Sequence, residues 1–432
     1  MSTDRKAVRP KSGGSAFTPT AAKRGGPLLF IAIPLLAFNL RAPITSVSPL
    51  LERVRGDLGL SGVTISVLAS LPVLCLGVFA FMAPRLGERV RSRTLLAVLL
   101  GVLAAGALIR TGSSAPQLLL GTVLVAAPIG VANVLLPGLI KREFPDSVAG
   151  VSVFYSAMLT FGAAVGPALV VPLSDLTGSA WRAPLVLLTV PMAVAAIVAV
   201  LIAMDHRGAD AGALPADAVP VPIAAPRLWR DPLAWRVTVF FGAQALLSYT
   251  AFGWLPTMWQ DRGMSAASGG LALSLCNLVG MAGAALLSVS GRRFADQRPA
   301  AVTVACLSGL GLAGVLLAPR VLLWPSVILL GLGLGAGFAL AISLFALRSP
   351  DAPTTAALSG MAQGIGYLIG VLGPLGAGVL HDMSGAWHWT LLALLLACAA
   401  QALTGLGAGR TGTVNRAPAS EKAPSADGVT PV

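Results

Sequence analysis

Charge is what this chain has least of: only 11% of its 432 residues are Asp, Glu, Lys or Arg, where a soluble domain carries about a quarter. That scarcity excludes a soluble globular protein and equally a charged, disordered one. Acid is scarcer than base, with 17 Asp and Glu against 30 Lys and Arg, and every acidic residue falls in a tail, a loop or the end of an apolar run. Histidine is scarcer still. His206, His381 and His388 sit at the ends of apolar runs without metal-ligand or triad spacing, so neither a metal centre nor a hydrolase finds support. The four cysteines, Cys75, Cys276, Cys306 and Cys398, lie inside apolar runs and form no C-x-x-C pair. They read as small core residues and not as disulfides or ligands. No basic run interleaved with aromatics stands out, so the net charge of +13 does not indicate nucleic acid.

Apolar length is what the chain has in abundance, at 56% hydrophobic residues and a mean hydropathy of +0.82. Polar breaks divide it into twelve runs: about 28–51, 62–84, 94–110, 117–140, 147–173, 182–204, 236–258, 266–290, 300–318, 321–347, 355–380 and 388–407. Each is long enough to be read as a transmembrane helix. The expectation is an all-α polytopic protein of the cell membrane, with lipid as its surroundings and a monomer as its working unit. Twelve spans place both termini on one side. The tails and even-to-odd loops hold 23 Lys and Arg against six in the opposite loops, which puts both termini in the cytoplasm. Residues 1–27 and 408–432 read as disordered tails, with no cleavable signal at the start. Residues 205–235, rich in Ala, Pro and Asp, read as a cytoplasmic linker between halves 28–204 and 236–407.

The halves repeat one another. Span five contains Gly166-Pro167 and ends in LSDLTG before Trp181; span eleven contains Gly373-Pro374 and ends in LHDMSG before Trp387. Pro167 and Pro374, Asp175 and Asp382, and Gly178 and Gly385 are each 207 residues apart. Pro145-Asp146 and Pro350-Asp351 precede the two spans in a matching place with a two-residue offset. Two pseudo-symmetric six-helix halves of parallel topology are the architecture of the major facilitator fold, in which substrate binds near the midplane between them. The glycine string GLGLGAG at 331–337 has no strand before it and lies inside an apolar span. It reads as close helix packing and not as a nucleotide loop.

Arg41 is the one charge inside the first apolar run. A single 24-residue helix over 28–51 would hold it well away from both ends, where an arginine facing lipid costs about 3 to 15 kcal/mol. It must therefore face a polar partner, a watery cavity or an anion. A planar fork of donors, charged at any working pH, suits a small anion or a polar ring with acceptor oxygens. The competing reading is a structural arginine bonded to helix carbonyls or paired with a carboxylate, and no carboxylate lies at its depth in the sequence. Uncharged polar residues at similar depth are Asn39, which lies on a different face of the first helix, Asn133, Gln244, Tyr249, Asn277, Gln363 and Tyr367. Gln363 and Tyr367 share a face, as do Gln244 and Ser248. Each of these serves equally well in interhelical packing or in a site.

NLRAPITSVSPLL in span one, LPVLCLGVFAFMAPRLGER at span two, NVLLPGLIKREFP at span four, WLP in span seven and MAQGIGYLIGVLGPLGAGVLHDMSGAW in span eleven resemble the cyanate and 2-nitroimidazole transporter family of the major facilitator superfamily. The resemblance runs from span one to span twelve. Two departures from the pattern stand out: Glu88 holds the place of a usual aspartate in the loop after span two, and Ala42-Pro43 stands where the family usually has proline then alanine. The resemblance implies alternating access, a small polar or anionic solute as substrate, no cofactor and no enzymatic reaction. In that fold spans one, four, seven and ten line the path, which favours Arg41, Asn133, Gln244 and Tyr249. The pairing of spans one and seven adds Trp254, and the family likeness adds Gln363 and Tyr367. Efflux of a small aromatic compound, with Tyr249, Trp254 and Tyr367 stacking its ring, is the alternative reading; a non-transporting sensor on the same fold is a third.

Overall fold

A computed structural model of the protein describes residues 27–80, 82, 83, 86, 90, 92–144, 147–179, 181–205, 228–291 and 296–414. Residues 1–26 and 415–432 of the expected tails, 206–227 of the expected linker, Glu88 and Pro145-Asp146 lie outside these. Among the described residues the chain forms fourteen α-helices. Those of the first half are α1 (Pro27–Thr45), α2 (Leu51–Leu58), α3 (Gly62–Ala80), α4 (Ser92–Ile109), α5 (Ala115–Glu143), α6 (Val148–Thr177), α7 (Arg182–Leu187) and α8 (Thr189–Asp205). Those of the second are α9 (Pro232–Asp261), α10 (Ala266–Gly291), α11 (Arg298–Leu317), α12 (Leu323–Leu347), α13 (Ala352–Ser384) and α14 (His388–Ala408). With α2 a short connector and α7–α8 one broken span, twelve spans result.

Two apolar runs depart from single helices, each for a local reason. The first stops at Thr45 and continues through a 3-10 turn, Ser48–Leu50, into α2. Pro43 has no N–H for the carbonyl of Asn39, and the carbonyl of Pro43, which a further turn would use, accepts from Arg110 Nη1 at 2.8 Å. Arg41 is thus one turn from the end of a helix of about 28 Å, not near the middle of a longer one. The end still lies inside the bundle, for Ser46, Ser48, Pro49 and Leu50 are buried. The sixth run breaks at Leu188, three residues before Pro191, whose ring collides with the carbonyl of Leu187 in a continuous helix.

The outer surface is apolar, with Leu286, Val289, Leu310, Leu396 and Leu403 all largely exposed, as a bundle surrounded by hydrocarbon requires. Cys75, Cys276 and Cys398 are buried, whereas Cys306 is exposed on α11. The expectation that all four are core residues fails there, because an apolar residue on a membrane helix can face lipid as readily as protein. Inside, the glycines of 331–337 let α12 approach its neighbours: Gly331 and Gly335 lie against Cys276 and Gly280 of α10, and Gly333 against Ser308 of α11.

The internal repeat is visible as matched contacts. Gly178 and Gly385 close α6 and α13 in the left-handed conformation, at φ +62° and +64°, which glycine adopts without a Cβ penalty. Just beyond them, Trp181 Nε1 donates to Asp57 at 3.0 Å and Trp387 Nε1 donates to Asp261 at 2.7 Å. Asp57 also accepts from Arg182 at 2.8 Å, and that guanidinium lies over the Trp181 ring at 4.6 Å. The Trp181 and Arg182 donors hold the Asp57 carboxyl below its ordinary value of 3.8. A carboxyl lowered in the folded state stabilises above its unfolded pKa and loses that contribution as pH falls through the folded one. The melting-temperature gap between wild type and Asp57→Asn is therefore expected to be constant from neutral pH down toward 3.8, and to close at lower pH. A gap that persists in stronger acid rules out the charge as its source.

The halves meet along α3 with α13 and α6 with α10. Among the described residues the polar contacts between them run from the α2 end to mid-bundle. Ser48 Oγ donates to the Gly253 carbonyl at 2.9 Å, Arg55 pairs with Asp382 at 3.5 Å, Ser274 Oγ donates to the Ala164 carbonyl at 2.6 Å, and Asn277 Nδ2 donates to the Ala163 carbonyl at 3.4 Å. The bundle is closed at that end.

Candidate functional site

The chain contains three tyrosines, and all three converge on Arg41. Tyr155 comes from α6, Tyr249 from α9 and Tyr367 from α13. The groups close enough to act electrostatically on the guanidinium are Tyr249, Tyr367 and Tyr155, Tyr249 most strongly. Aromatic rings hold the phenols in place: Tyr249 and Tyr367 meet at 6.1 Å, Phe252 packs edge-on against Tyr249 at 5.6 Å, and Phe241 against Tyr367 at 5.4 Å. These are the distances of favourable tilted pairs.

A phenol accepts a hydrogen bond without cancelling charge. Among the described residues no carboxylate acts on Arg41. The guanidinium is thus an uncompensated, half-buried cation between the two halves, and such a cation calls for an anion or for water itself.

The sequence-predicted residues divide in two. Arg41, Tyr249 and Tyr367 come together. Gln363, one turn before Tyr367, donates to Ser359 of its own helix at 2.7 Å, and half-buried Asn133 has no hydrogen-bond partner among the described residues. Gln244 turns away from the site into its own half. It is buried, donates to the Leu334 carbonyl at 2.8 Å and accepts from Gln401 at 2.6 Å. Trp254 likewise donates to the Pro374 carbonyl at 2.8 Å and packs on Trp387. Asn39 lies on another face, as its spacing predicts, and donates to the Pro191 carbonyl at 3.2 Å.

Two residues escaped the sequence reading. Tyr155 lies on the fifth span, outside the set that lines the path in the general fold; the rarity of tyrosine was the available signal. Arg110 reads as a loop residue because it follows an apolar run, but it is only 1% exposed. Directly beside the arginine–tyrosine cluster, between the halves, is a cavity of about 30 Å³ whose lining includes Pro43, Ser48, Arg110, Thr122, Tyr249 and Gly253. That is room for roughly two waters, so nothing larger passes at this level in the closed form.

Comparison with known proteins gives the chain's family. The chain is 32% identical over 383 residues to the uncharacterized transporter YycB of Bacillus subtilis (strain 168), covering 88% of this chain and 93% of the relative. It is 34% identical over 385 residues to the 2-nitroimidazole transporter of Escherichia coli (strain K12), covering 89% and 95%. With the cyanate transport protein CynX of the same organism it shares 31% over 371 residues, covering 85% and 94%. In fold it matches a bacterial homolog of the human lysosomal transporter Spinster with a TM-score of 0.71 at 13% identity, covering 92% and 98%. The family model described as Major Facilitator Superfamily matches residues 29–371. A twelve-helix, two-half membrane transporter by fold and by sequence, the chain belongs to the major facilitator superfamily.

Proposed function

We propose that this transporter moves a small anion or a small polar compound with acceptor oxygens, binding it at Arg41 between the halves and exchanging it across the cell membrane by alternating access. The observation that carries the reading is the convergence of all three tyrosines on an arginine with no carboxylate partner. Such a site offers positive charge, oriented donors and aromatic walls, and it lacks only the negative group. The names of two relatives, a 2-nitroimidazole transporter and a cyanate transport protein, fit it from both sides: one solute is a flat ring with a nitro group, the other a small linear anion. With the termini cytoplasmic, the closed α2 end faces outward. Opening it requires breaking Ser48–Gly253, Arg55–Asp382 and the α6–α10 contacts, a small set of two neutral hydrogen-bonded contacts and one exposed ion pair that a bound solute can offset.

The test is thermal stabilisation of the purified protein by cyanate, nitrate, 2-nitroimidazole and unsubstituted imidazole. A ligand at a hundred times its dissociation constant adds about 2.7 kcal/mol to the folded state. Cyanate or nitrate stabilising the protein supports the anion reading. The aromatic cluster of Phe241, Tyr249, Phe252 and Tyr367 favours ring compounds as a second reading, which takes over if only heterocycles stabilise. Tyr249→Phe removes a hydroxyl beside the guanidinium and is expected to raise the apparent dissociation constant about tenfold. An unchanged constant would take Tyr249 out of the site.

A further inference from the structure

Arg110 has no assigned task, and its surroundings do not satisfy it. It follows the last residue of α4 and is 1% exposed. One nitrogen, Nη1, donates to the carbonyl of Pro43 at 2.8 Å. The other two, Nε and Nη2, are buried without a hydrogen-bond partner. A guanidinium held out of water with two of its three nitrogens unpaired is costly, and buried groups left so in native proteins are generally satisfied by something else, such as water or an ion. The side chain cannot simply swing away at its root, because Gly121 of α5 packs against the backbone and Cβ of Arg110 so closely that any Cβ at Gly121 would overlap them.

The unpaired nitrogens belong to a side chain that lines the inter-half cavity, together with the hydroxyl residues Ser48 and Thr122 and no acidic residue. Ser48 and Thr122 donate their own protons to the carbonyls of Gly253 and Leu118, so neither hydroxyl competes with Arg110 as a donor in the closed form. Tyr249 lines this cavity too, and it is the strongest electrostatic neighbour of Arg41. It therefore stands between the two arginines. Along α1 the carbonyl that anchors Arg110 is two residues beyond Arg41, about 3 Å of helix rise.

We propose that Arg110 is a second anion contact on the same path, on the α2 side of Tyr249, and that an anion passes between it and Arg41 as the α2 end opens and closes. In the closed form the cavity holds about two waters. Separation of Ser48 from Gly253 widens it, and the free Nε and Nη2 then offer the side-on fork that a small oxyanion or cyanate takes up. This inference rests on the anion reading of Arg41 and adds a second station to it.

The test uses full-length protein in proteoliposomes and in detergent, as wild type, Arg110→Gln and Arg110→Lys, with cyanate and nitrate as probes. Glutamine keeps one donor for the Pro43 carbonyl and removes the charge. Arg110→Gln is expected to melt no lower than wild type without ligand, and to carry the anion at least about tenfold more slowly. Arg110→Lys is expected to fall between them, because it keeps charge and loses the fork. If Arg110 is only a clamp on α1, the ligand-free melting temperature falls and anion flux per folded molecule is unchanged, which overturns the proposal and leaves the Arg41 reading standing. If neither probe binds or crosses with the wild type, both readings fall together. Should the Arg110 variants fail to fold, Thr122→Cys in a background with the four native cysteines replaced by serine reports on the same cavity. A negatively charged methanethiosulfonate reagent is expected to label it faster than a positively charged one of equal size, and the reverse order overturns the proposal.

Discussion

Arg41→Ala is expected to abolish anion transport and anion-dependent stabilisation while leaving the ligand-free protein folded and close to wild type in melting temperature. The two halves of this expectation have separate causes. Stability is spared because no carboxylate depends on Arg41; its interaction partners are the neutral hydroxyls of Tyr249, Tyr367 and Tyr155, and removing it leaves no buried anion behind. Function is lost because a desolvated, hydrogen-bonded charge pair deprived of one member forfeits about 3 to 5 kcal/mol, which is roughly two to nearly four orders of magnitude in affinity. Arg41→Lys should lose about tenfold, since an ammonium keeps the charge without the planar fork. The measurements are uptake of labelled cyanate into proteoliposomes and the ligand-induced melting shift. An alanine variant that transports within about twofold of wild type returns Arg41 to a structural role, as does one that fails to fold.

Gly335→Leu is expected to destroy the fold. A Cβ at Gly335 overlaps the carbonyl oxygen and backbone carbons of Gly280 on the facing helix. Overpacking ordinarily costs about 1 to 3 kcal/mol because side chains shift to relieve it. Here backbone meets backbone, so two helices have to separate, and the cost should reach about 3 kcal/mol or more. Separating α10 from α12 also loosens Gly331 from Cys276 and Gly283 from Leu332. Gly360 is the control, a helical glycine in α13 with nothing within 4 Å of where a Cβ would stand. Gly360→Ala should be neutral or stabilising by about 0.5 to 1 kcal/mol. Monodisperse protein recovered from detergent and its melting temperature decide the matter, and equal behaviour of the two variants would contradict close helix packing as the reason for the glycine string.

The spans were legible because apolar length is a local property. Their internal breaks were half legible: Pro43 and Pro191 are plain in the sequence, but whether a proline kinks a helix or ends it depends on what satisfies the freed carbonyls. Past Pro43 the freed carbonyl of Pro43 itself is taken by Arg110 Nη1, and the helix stops. Arg41 announced itself because a charge inside an apolar run is costly wherever it points. For Gln244 and Trp254 depth along the helix was readable and direction around it was not. Both sit at site depth, and both point into their own half.

The sequence by itself determined a twelve-span, internally repeated transporter with one arginine set inside its first apolar run and an overwhelming bias of basic residues to one side. Hydrocarbon dictates these features residue by residue, so no folding is needed to read them. Tertiary structure alone decided that Tyr155 joins Arg41, that Arg110 is buried against Pro43 rather than free in a loop, and that Cys306 faces outward. A membrane helix is apolar on every side, so its sequence does not say which face meets a neighbour. That rotation is set by packing, through small residues such as Gly121, Gly280 and Gly335 that let particular helices approach.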